Sequence, residues 1–598
     1  MLFGKRINKY YKKYALLFLI GVIALIVVDV AQTFIPRFLG QIIDNNNELI
    51  VDQSKLGGII GGILGVAGIM FVGRCVWRLT LLRASTGIAA SLRKEMFLHA
   101  EKLPTSYYHE HKVGDIMNWF TSDIEEIQDF FGWGTVMLVD AVFLSASVIV
   151  SMIRLNPWMT ILASFPVILI IVWGMLVERF MSKLWEGRQK EYDRLYDFVN
   201  ENFMGIRVIK AFVKQNKEIA AFAKVAHKNQ EVNVTFARLN VFFDVVIEII
   251  IVLQIGFLLG FGGYLVYGTT IGQPGQLFGV TVTMTAGELM EFVGYVDLII
   301  WPMIALGSII SMRARAKGSL RRITAFLETN IDVVSPENGI KLGEGGGAIS
   351  FRDFNFVYPG TKERALANIT LDILPGEHIG IVGKVGCGKT TLVNSLLRLY
   401  NLEPGRVFID GNDIMDCDIP SLRDFISYAP QDNFLFSDKV ENNIAFSSET
   451  VDHDHVIESA KFADVDENIK GFPKGYETIS GERGVTLSGG QKQRISIARA
   501  YYKEAPILIL DDCVSAVDVK TEEAIMGNIA KDRKGKTTLL IASRVSTVKH
   551  LDKILVLDDG KVAAYGNHEE LIKTSPLYNR MVFLQELEKE MEGGERRG

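Results

Sequence analysis

Cysteine is scarce in this sequence, and so is net charge. Four of the 598 residues are cysteines, and they stand singly at positions 75, 387, 417 and 513. This spacing excludes a disulfide framework and a CxxC zinc site. It is typical of a chain whose soluble part folds in a reducing compartment. The 64 basic residues almost balance the 69 acidic ones. The chain therefore lacks the basic surplus of a nucleic-acid-binding protein, and no nucleic-acid partner is predicted.

Long apolar runs fill the first half of the chain and nearly cease after about residue 312. The run 159–177 contains no charged residue and is long enough to cross a bilayer core of ~30 Å. A buried core helix would explain one such run but not six of this length. The sequence therefore predicts six membrane-spanning helices, at 14–39, 56–76, 135–153, 159–177, 245–266 and 289–310.

Lysine and arginine are concentrated on one side of these runs. They occur before the first run, after the second, after the fourth and after the last, whereas the alternate connections carry almost none. Positively charged loops stay in the cytoplasm. We therefore expect a multi-pass protein of the cell inner (plasma) membrane, with both termini and the second half of the chain in the cytoplasm. The lipid bilayer is accordingly a predicted partner.

The two long connections, 80–131 and 178–239, are rich in helix-forming residues and contain few Gly or Pro. Structureless loops of this length are uncommon. Each connection is therefore predicted to extend one span as a helix, turn tightly and return, with arms that reach on the order of 40 Å below the membrane. Further along, the glycine-rich stretch 341–348 has the composition of a flexible linker.

A phosphate-binding motif opens the second half. The apolar run 379–382 predicts a strand, which leads into G-x-x-x-x-G-K-[ST] and then an apolar helix through residue 397. In such a loop the glycines let backbone N–H groups turn toward phosphates, while the lysine reaches the outer phosphates and the threonine binds Mg²⁺. ATP and Mg²⁺ are therefore predicted. The predicted nucleotide contacts are Gly383, Lys384, Val385, Gly386, Cys387, Gly388, Lys389, Thr390 and Thr391, with Cys387 a spacer.

A second motif ends in a carboxylate. The apolar run 506–510 is followed by Asp511. A buried strand that ends in aspartate is common by itself. Beside an intact phosphate loop in the same domain, however, it predicts that Asp511 and Thr390 bind one Mg²⁺, since carboxylate and hydroxyl oxygens are the ligands that this ion prefers.

The run 487–494, LSGGQKQR, resembles the signature of ATP-binding cassette (ABC) proteins. Six spans with two long intracellular connections and one cassette are similar to a half-transporter of the ABC exporters, over essentially the whole chain. The resemblance implies an all-α polytopic membrane domain at 1–330, a linker at 331–348, an α/β P-loop cassette at 349–585 and a charged tail at 586–598. Segments 113–127 and 201–212 resemble the family's coupling-helix regions, and 481–484 resembles the exporters' cross-domain loop.

The resemblance also implies roles for single residues. Tyr358 corresponds to an aromatic that stacks on adenine, although it also suits the core of its own strand. Gln431 matches a residue that touches Mg²⁺ and the attacking water, and Asp518 matches the loop between the two nucleotide sites. The signature would clamp the γ-phosphate held by the opposite cassette, at a helix start that favours an anion. The signature residues are Ser488, Gly489, Gly490 and Gln491.

Two catalytic positions depart from the family pattern. The family's glutamate, which orients or deprotonates water, is replaced by Asp512, whose carboxylate falls roughly 1 Å short; such a misplacement costs on the order of 10²-fold in rate. The family's histidine is replaced by Ser543, which cannot carry positive charge. Both changes affect the site on the chain's own P-loop, whereas the signature is intact. The pattern favours a heterodimer with a second ABC half-transporter that supplies the competent site.

The transported substrate is inferred from the ionisable residues within the apolar runs. Several ionisable residues lie within the runs, and they would line an acidic cavity for amphipathic cations or pair between helices. They are Asp29, Arg74, Asp140, Asp244, Glu248 and Asp297. The sequence predicts an ATP-driven exporter of amphipathic small molecules, drugs or lipids, that works by alternating access. The alternatives are a slow homodimeric lipid or drug flippase, an exporter-shaped importer, and an ATP-gated regulatory or channel subunit.

Overall fold

The structure is a computed structural model that describes residues 5–47, 53–277, 280–343, 345–481, 487–515 and 517–595. The chain divides into two compact units. The first consists of Met1–Glu101 and Val113–Thr329, and the second of Lys102–Lys112 and Asn330–Gly598. The chain passes from the first unit to the second beside residue 330, where the sequence places the end of the membrane domain.

The first unit is helical, and its helices are long. Three of them contain 48, 48 and 56 residues, which corresponds to about 72 to 84 Å at the rise of an α-helix. They extend the apolar runs well beyond the thickness of a bilayer, as predicted for 80–131 and 178–239. The helices of this half of the chain are α1 (Lys5–Gln32), α2 (Phe34–Asn47), α3 (Gln53–Ala100), α4 (Thr105–Glu110), α5 (Val113–Asn118), α6 (Ile124–Asp129), α7 (Thr135–Val139), α8 (Ser145–Leu155), α9 (Pro157–Met204), α10 (Ile206–Ala211), α11 (Gln215–Thr270) and α12 (Ala286–Leu327).

The remaining elements of this half are short. Helices α5 to α8 are joined by π-helical turns at Trp119–Asp123, Phe130–Gly134 and Asp140–Leu144. A small hairpin, β1 (Gln276–Leu277) and β2 (Val280–Thr281), precedes α12. Asp44 of α2 caps the start of α12: its Oδ1 accepts from Gly287 N at 2.7 Å, and its Oδ2 accepts from Thr285 Oγ1 at 2.8 Å.

Five helical segments of the described residues are long and apolar enough to cross a membrane. They are Asn8–Asn45, Gln53–Ala100, Val113–Leu155, Gln215–Thr270 and Ala286–Leu327. The first is interrupted at Thr33, because the ring of Pro36 is incompatible with an unbroken helix through the carbonyl of Gln32. The remaining predicted span, 159–177, lies in α9, and several of its side chains are outside the described set. The count of six spans stays a prediction.

Helix α4 belongs to the second unit rather than the first. Thr105 Oγ1 donates to the carbonyl of Leu399 at 3.5 Å, and the ring of Tyr107 is buried. The sequence placed the first coupling region at 113–127, and this assignment is wrong. The chain turns earlier, since Pro104 ends the descending arm and stands at the N-cap of α4, whereas 113–127 lies in the first unit. The other predicted region, 201–212, contains α10.

The cassette contains two sheets. The six-stranded sheet has the order β12-β11-β5-β10-β9-β8, and the four-stranded sheet has the order β4-β3-β6-β7. Strands β5, β8, β9 and β10 run parallel, and their carboxyl ends meet at one edge. The strands are β3 (Ile349–Val357), β4 (Arg364–Ile373), β5 (His378–Gly383), β6 (Val407–Ile409), β7 (Asn412–Asp413), β8 (Ile426–Ala429), β9 (Ile507–Asp511), β10 (Thr537–Ile541), β11 (Lys553–Asp558) and β12 (Lys561–Gly566).

Helices cover the larger sheet, whose central strands are buried and apolar, as expected of a parallel sheet enclosed on both faces. Helix α22 continues past residue 585, so the predicted tail 586–598 does not begin as a separate segment. The helices are α13 (Lys389–Leu396), α14 (Ile419–Asp424), α15 (Val440–Ile444), α16 (His453–Phe462), α17 (Asp466–Lys470), α18 (Gly489–Tyr502), α19 (Val519–Asp532), α20 (Val545–Val548), α21 (His568–Thr574) and α22 (Pro576–Glu595).

The predicted flexible linker is bonded to the cassette along its length. Ile340 forms a bridge with Cys417. Asp410 accepts from Gly347 N at 3.2 Å and from Ala348 N at 2.7 Å. The expectation of a flexible joint at 341–348 is therefore wrong for its described residues, because side-chain oxygens satisfy backbone donors that a free coil would leave to water.

Candidate nucleotide site

The phosphate loop connects β5 to α13, as the sequence predicted. Gly383, Gly386 and Gly388 have φ angles of 156°, 83° and 99°. A Cβ at Gly388 would lie 2.8 Å from the carbonyl oxygen of Ala365, so only glycine fits there. Lys389 Nζ donates to the carbonyls of Gly383 and Lys384, both at 2.9 Å. The ammonium group is thus held inside the curl of the loop, where phosphate oxygens would bind.

The other loop residues divide into exposed and buried ones. Lys384 forms an ion pair with Asp558 at 3.5 Å, and Val385 is fully exposed. Cys387 packs in the core beneath the loop, and burial raises the pKa of its thiol. A thiol in this state is a poor nucleophile, which agrees with the role of spacer predicted for it.

Tyr358 lies at the edge of the same loop. Its hydroxyl is 2.8 Å from Thr391 Oγ1 on α13. Its half-buried ring makes edge contacts with Phe356 and Tyr400, at centroid distances of 5.0 and 5.5 Å. These contacts pack the ring of Tyr358 against the core of the cassette, next to the phosphate loop. Stacking on adenine therefore remains a prediction.

The carboxylate at the end of β9 meets the loop. Thr390 Oγ1 donates to Asp511 Oδ1 at 3.2 Å, and the Tyr428 hydroxyl donates to Asp511 Oδ2 at 3.4 Å. Burial raises the pKa of Asp511, and these two hydrogen bonds oppose the rise. The hydroxyl and carboxylate oxygens form a donor set that fits Mg²⁺. Gln431 is exposed just beyond β8, whose Ala429 pairs with Leu510, so it lies at the same sheet edge.

Asp512 follows in a strained conformation. Its φ is 50°, and its N–H donates to the carbonyl of Ile541 at 3.0 Å. Burial raises the pKa of Asp512, whereas the charge of Lys389 and hydrogen bonds from the Ser543 backbone and hydroxyl lower it. Within the described residues, the buried Oδ1 of Asp512 has no hydrogen-bond partner. The structure therefore brings together, beside the phosphate loop, the two positions predicted to be catalytic, 512 and 543.

Sequence reasoning missed a residue that holds this region from the far end of the chain. Gln585 of α22 donates from Nε2 to the carbonyl of Ser543 at 3.1 Å, and its Oε1 accepts from Val545 N at 2.7 Å. The amide thus spans the segment that carries Ser543. No motif surrounds Gln585, so the pattern of the sequence contained no signal for it.

The signature lies at the start of α18. Ser488 is its N-cap: Oγ accepts from Gln491 N at 3.3 Å, while Ser488 N donates to Gln491 Oε1 at 2.9 Å. This capping box leaves Ser488 and Gly489 exposed, with Gly490 half-buried. The predicted cross-domain loop at 481–484 lies outside the described residues except for Gly481.

Asp518 caps the next helix. Its Oδ1 accepts from Thr521 N at 3.1 Å, and its Oδ2 accepts from Thr521 Oγ1 at 2.9 Å. These hydrogen bonds lower the pKa of Asp518. Gln493 of α18 donates to Ser515 Oγ at 3.5 Å, which connects the signature helix to the loop that leads to Asp518.

Comparison with known proteins matches both halves of the chain. Residues 18–286 match the family model of the ABC transporter transmembrane region, and residues 366–515 match that of the ABC transporter. The chain is 32% identical to the probable multidrug resistance ABC transporter ATP-binding/permease protein YheI of Bacillus subtilis, over 99% of each chain. It is 31% identical to the multidrug resistance-like ATP-binding protein MdlA of Escherichia coli, over 98% of this chain and 96% of that protein.

The fold also has a solved counterpart. A bacterial Atm1-family ABC exporter with ATP bound superposes with a TM-score of 0.74 at 24% identity, over 97% of this chain and 98% of that one. At this identity the likeness concerns the fold alone, a helical membrane domain followed by an α/β cassette.

Proposed function

We propose, from the premise that this chain belongs to the ABC transporter family, that its own nucleotide site hydrolyses ATP slowly and that its signature serves a faster site on a second half-transporter. As a family member with this cassette, the chain couples ATP hydrolysis to transport, in the manner of multidrug-type exporters. The proposal adds that the two nucleotide sites differ in their rate of hydrolysis and that the partner is a different half-transporter.

The proximity of Asp512 to Ser543 carries the proposal. The Asp512 N–H donates to the carbonyl of Ile541, two residues before Ser543, so a shortened acid and a serine lie where the family's glutamate and histidine would act on water and phosphate. A serine in that place offers no positive charge to the transition state, so stabilisation of the developing charge on phosphate is weaker. The site therefore keeps the groups that bind nucleotide and has weaker groups for cleaving it.

The binding groups support retention of ATP. The loop N–H groups, Lys389 and the start of α13 provide positive potential for phosphates. Thr390 and Asp511 would hold Mg²⁺, with Gln431 at the same edge. This ion supplies charge neutralisation on the phosphates when bound. Nothing in this set departs from the family pattern, so we expect ATP to bind here and to dwell.

The intact signature supports a different partner. Ser488 and Gly489 are exposed at a helix start, which suits a phosphate held by another cassette. In a homodimer, both signatures would face a nucleotide site that contains Asp512 and Ser543. In a heterodimer, a second half-transporter with glutamate and histidine would form one competent site with the signature of this chain. We further propose that the cargo is an amphipathic small molecule and that the cassette and both termini lie in the cytoplasm.

The test uses the transporter purified from its native membrane through a tag on this chain. Asp512→Ala should leave most of the ATPase rate, whereas Ser488→Ala should lower it on the order of 10²-fold through loss of transition-state contacts. Asn567→Ala is the matched control. Asn567 forms the same capping box with Glu570 at the start of α21, so its loss costs similar helix stability away from the nucleotide.

Two results would contradict the proposal. One is the reverse pattern, in which Asp512→Ala abolishes turnover and Ser488→Ala does not. The other is a purified assembly that contains this chain alone and hydrolyses ATP briskly, because such a homodimer would show that Asp512 and Ser543 suffice for catalysis. Mass spectrometry of the intact assembly identifies the subunits in the same preparation.

A further inference from the structure

Two carboxylates are buried in the membrane unit away from the nucleotide site. Asp29 lies near the end of α1, and Asp140 begins the π-helical turn Asp140–Leu144. Their side chains are only 3% and 8% exposed. Helix α1 and helix α12 both pack against this turn, so the pair lies in the interior of the helical unit. π-Helical turns of this kind occur frequently at functional sites.

The polar atoms of this cluster are incompletely satisfied. Trp301 Nε1 of α12 donates to Asp140 Oδ2 at 2.9 Å. Among the residues that the structure describes, Asp29 Oδ2, Asp140 Oδ1 and Ser145 Oγ are buried without a hydrogen-bond partner. The turn that begins at Asp140 packs against α1, which carries Asp29, and the two carboxylates repel each other electrostatically. We call Asp29 and Asp140 the carboxylate pair. Within the described residues, each of them keeps one buried oxygen that no donor satisfies.

Among the residues that the structure describes, neither carboxylate of the pair forms an ion pair. On α3, Gly73 packs against Val28, one residue before Asp29, and the adjacent Arg74 is exposed. On α12, Asp297 is also exposed. Helix α7 contains no ionisable residue, and Arg154 of α8 is exposed at the far end of its helix. Among the described residues, the Trp301 indole is the hydrogen-bond donor to the pair.

Two ionised carboxylates that repel each other are costly in the apolar interior of a membrane protein. Such a pair rarely ionises together, so one of the two carboxyl groups keeps a proton. A proton needs no cavity, and it converts one unpaired acceptor oxygen into a donor for its neighbour. The geometry therefore favours the smallest cation over a bulky one.

We propose that Asp29 and Asp140 bind one dissociable proton, which the transporter releases when its helices rearrange during the transport cycle. In the step, an O–H bond of a hydronium ion breaks and an O–H bond to Asp29 Oδ2 or Asp140 Oδ1 forms, which leaves a water molecule; no oxidant or reductant takes part. Rearrangement that separates α1 from the turn Asp140–Leu144 would admit water to the pair and let the proton leave. Each transport cycle driven by ATP would then also bind and release one proton.

Infrared difference spectroscopy tests the proposal on the transporter in lipid vesicles, with and without ATP and vanadate. A protonated carboxyl has a carbonyl stretch that an ionised carboxylate lacks. We expect such a band in the nucleotide-free state, sensitive to exchange into D₂O, with an intensity of about one carboxyl per chain. Asp29→Asn and Asp140→Asn should each remove it. Asp297→Asn is the matched control, since it removes an exposed acid of α12 and should leave the band.

A second readout follows the released proton itself. In weakly buffered vesicles with a pH dye, trapping with ATP and vanadate should release about one proton per chain from the native protein and from Asp297→Asn, and none from Asp29→Asn. Should an asparagine variant fail to fold, Asp29→Glu keeps an ionisable group, and it should retain the band at a shifted frequency.

Three outcomes would overturn the proposal. The first is the absence of a protonated carboxyl band in the native transporter. The second is a band that persists in both asparagine variants. The third is a band that appears only after Na⁺ and K⁺ are removed, which would assign the pair to a metal cation. None of these readouts depends on which half-transporter is the partner, so failure here leaves the proposed division of the nucleotide sites standing.

Discussion

The Asp512 N–H donates to the carbonyl of Ile541 at 3.0 Å, two residues before Ser543, so the two departures from the ABC pattern lie side by side. Residue 512 follows the end of β9 and residue 543 follows the end of β10, and the two strands are paired with Ile541 opposite Asp511. The pairing brings two separate substitutions into one place. A shortened acid and a neutral hydroxyl thus occupy the place where the family pattern has a glutamate and a histidine.

Restoring both residues should restore hydrolysis at this chain's own site. In a Ser488→Ala background, which disables the proposed competent site, the added changes Asp512→Glu and Ser543→His should raise phosphate release on the order of 10²-fold, because the acid regains its reach and the imidazole its charge. Adding Lys389→Ala should abolish the gain. An unchanged rate in the restored protein would show that other groups limit this site.

The nucleotide site was predictable from sequence because its motifs are local. A glycine loop between a strand and a helix, and an apolar strand that ends in Asp511, need only neighbouring residues to be read. Gln585 was not predictable, since it reaches Ser543 from a different helix with no pattern around it. The position of the turn after α3 was also predicted wrongly. The turn lies at Pro104, whereas the sequence placed the coupling region from Val113 onward.

The phosphate loop should tolerate no side chain at Gly388. Gly388→Ala meets the Ala365 carbonyl at 2.8 Å and places alanine in a left-handed conformation, which alone costs about 1–2 kcal/mol. We expect ATP affinity, measured with a fluorescent analogue, to fall at least tenfold, since the loop must shift. Gly405→Ala is the control: its φ is 76° but its Cβ would meet nothing within 4 Å. A loss of ATP affinity of similar size in the control would contradict the argument from crowding.

Replacing Asp410 should make the linker at 341–348 more mobile. Asp410→Ala leaves the N–H groups of Gly347 and Ala348 without their acceptor, which costs about 1–3 kcal/mol in the free energy of unfolding. Amide exchange at these two residues should accelerate. Asp372→Ala removes an exposed hydrogen bond from Ser350 one strand away, and it should leave the exchange unchanged. If the amides of Gly347 and Ala348 exchange at the same rate in Asp410→Ala as in the native protein, the hydrogen bonds to Asp410 do not hold this segment.

Glycine content misled the prediction at this linker. The sequence 341–348 has the composition of a coil, but a composition does not show which acceptors lie nearby in the fold. Asp410 stands about sixty residues further along the sequence, after β6, and it is brought to the linker because β6 pairs with β3. The membrane unit shows the same limit, since the burial of Asp29 and Asp140 depends on how its helices pack.

The cap that Asp518 provides at the start of α19 should weaken in acid. Hydrogen bonds from Thr521 lower the pKa of Asp518 below its usual value of about 3.9. A carboxylate with a depressed pKa in the folded state stabilises the protein above its unfolded pKa, and the contribution is lost as the pH falls through the lower folded value. The difference in Tm between the native protein and Asp518→Asn should therefore be constant near neutral pH and shrink in acid. Thr521→Val removes one donor and should move that loss to a higher pH, whereas an unmoved profile would show that the side-chain hydrogen bond does not hold the charge.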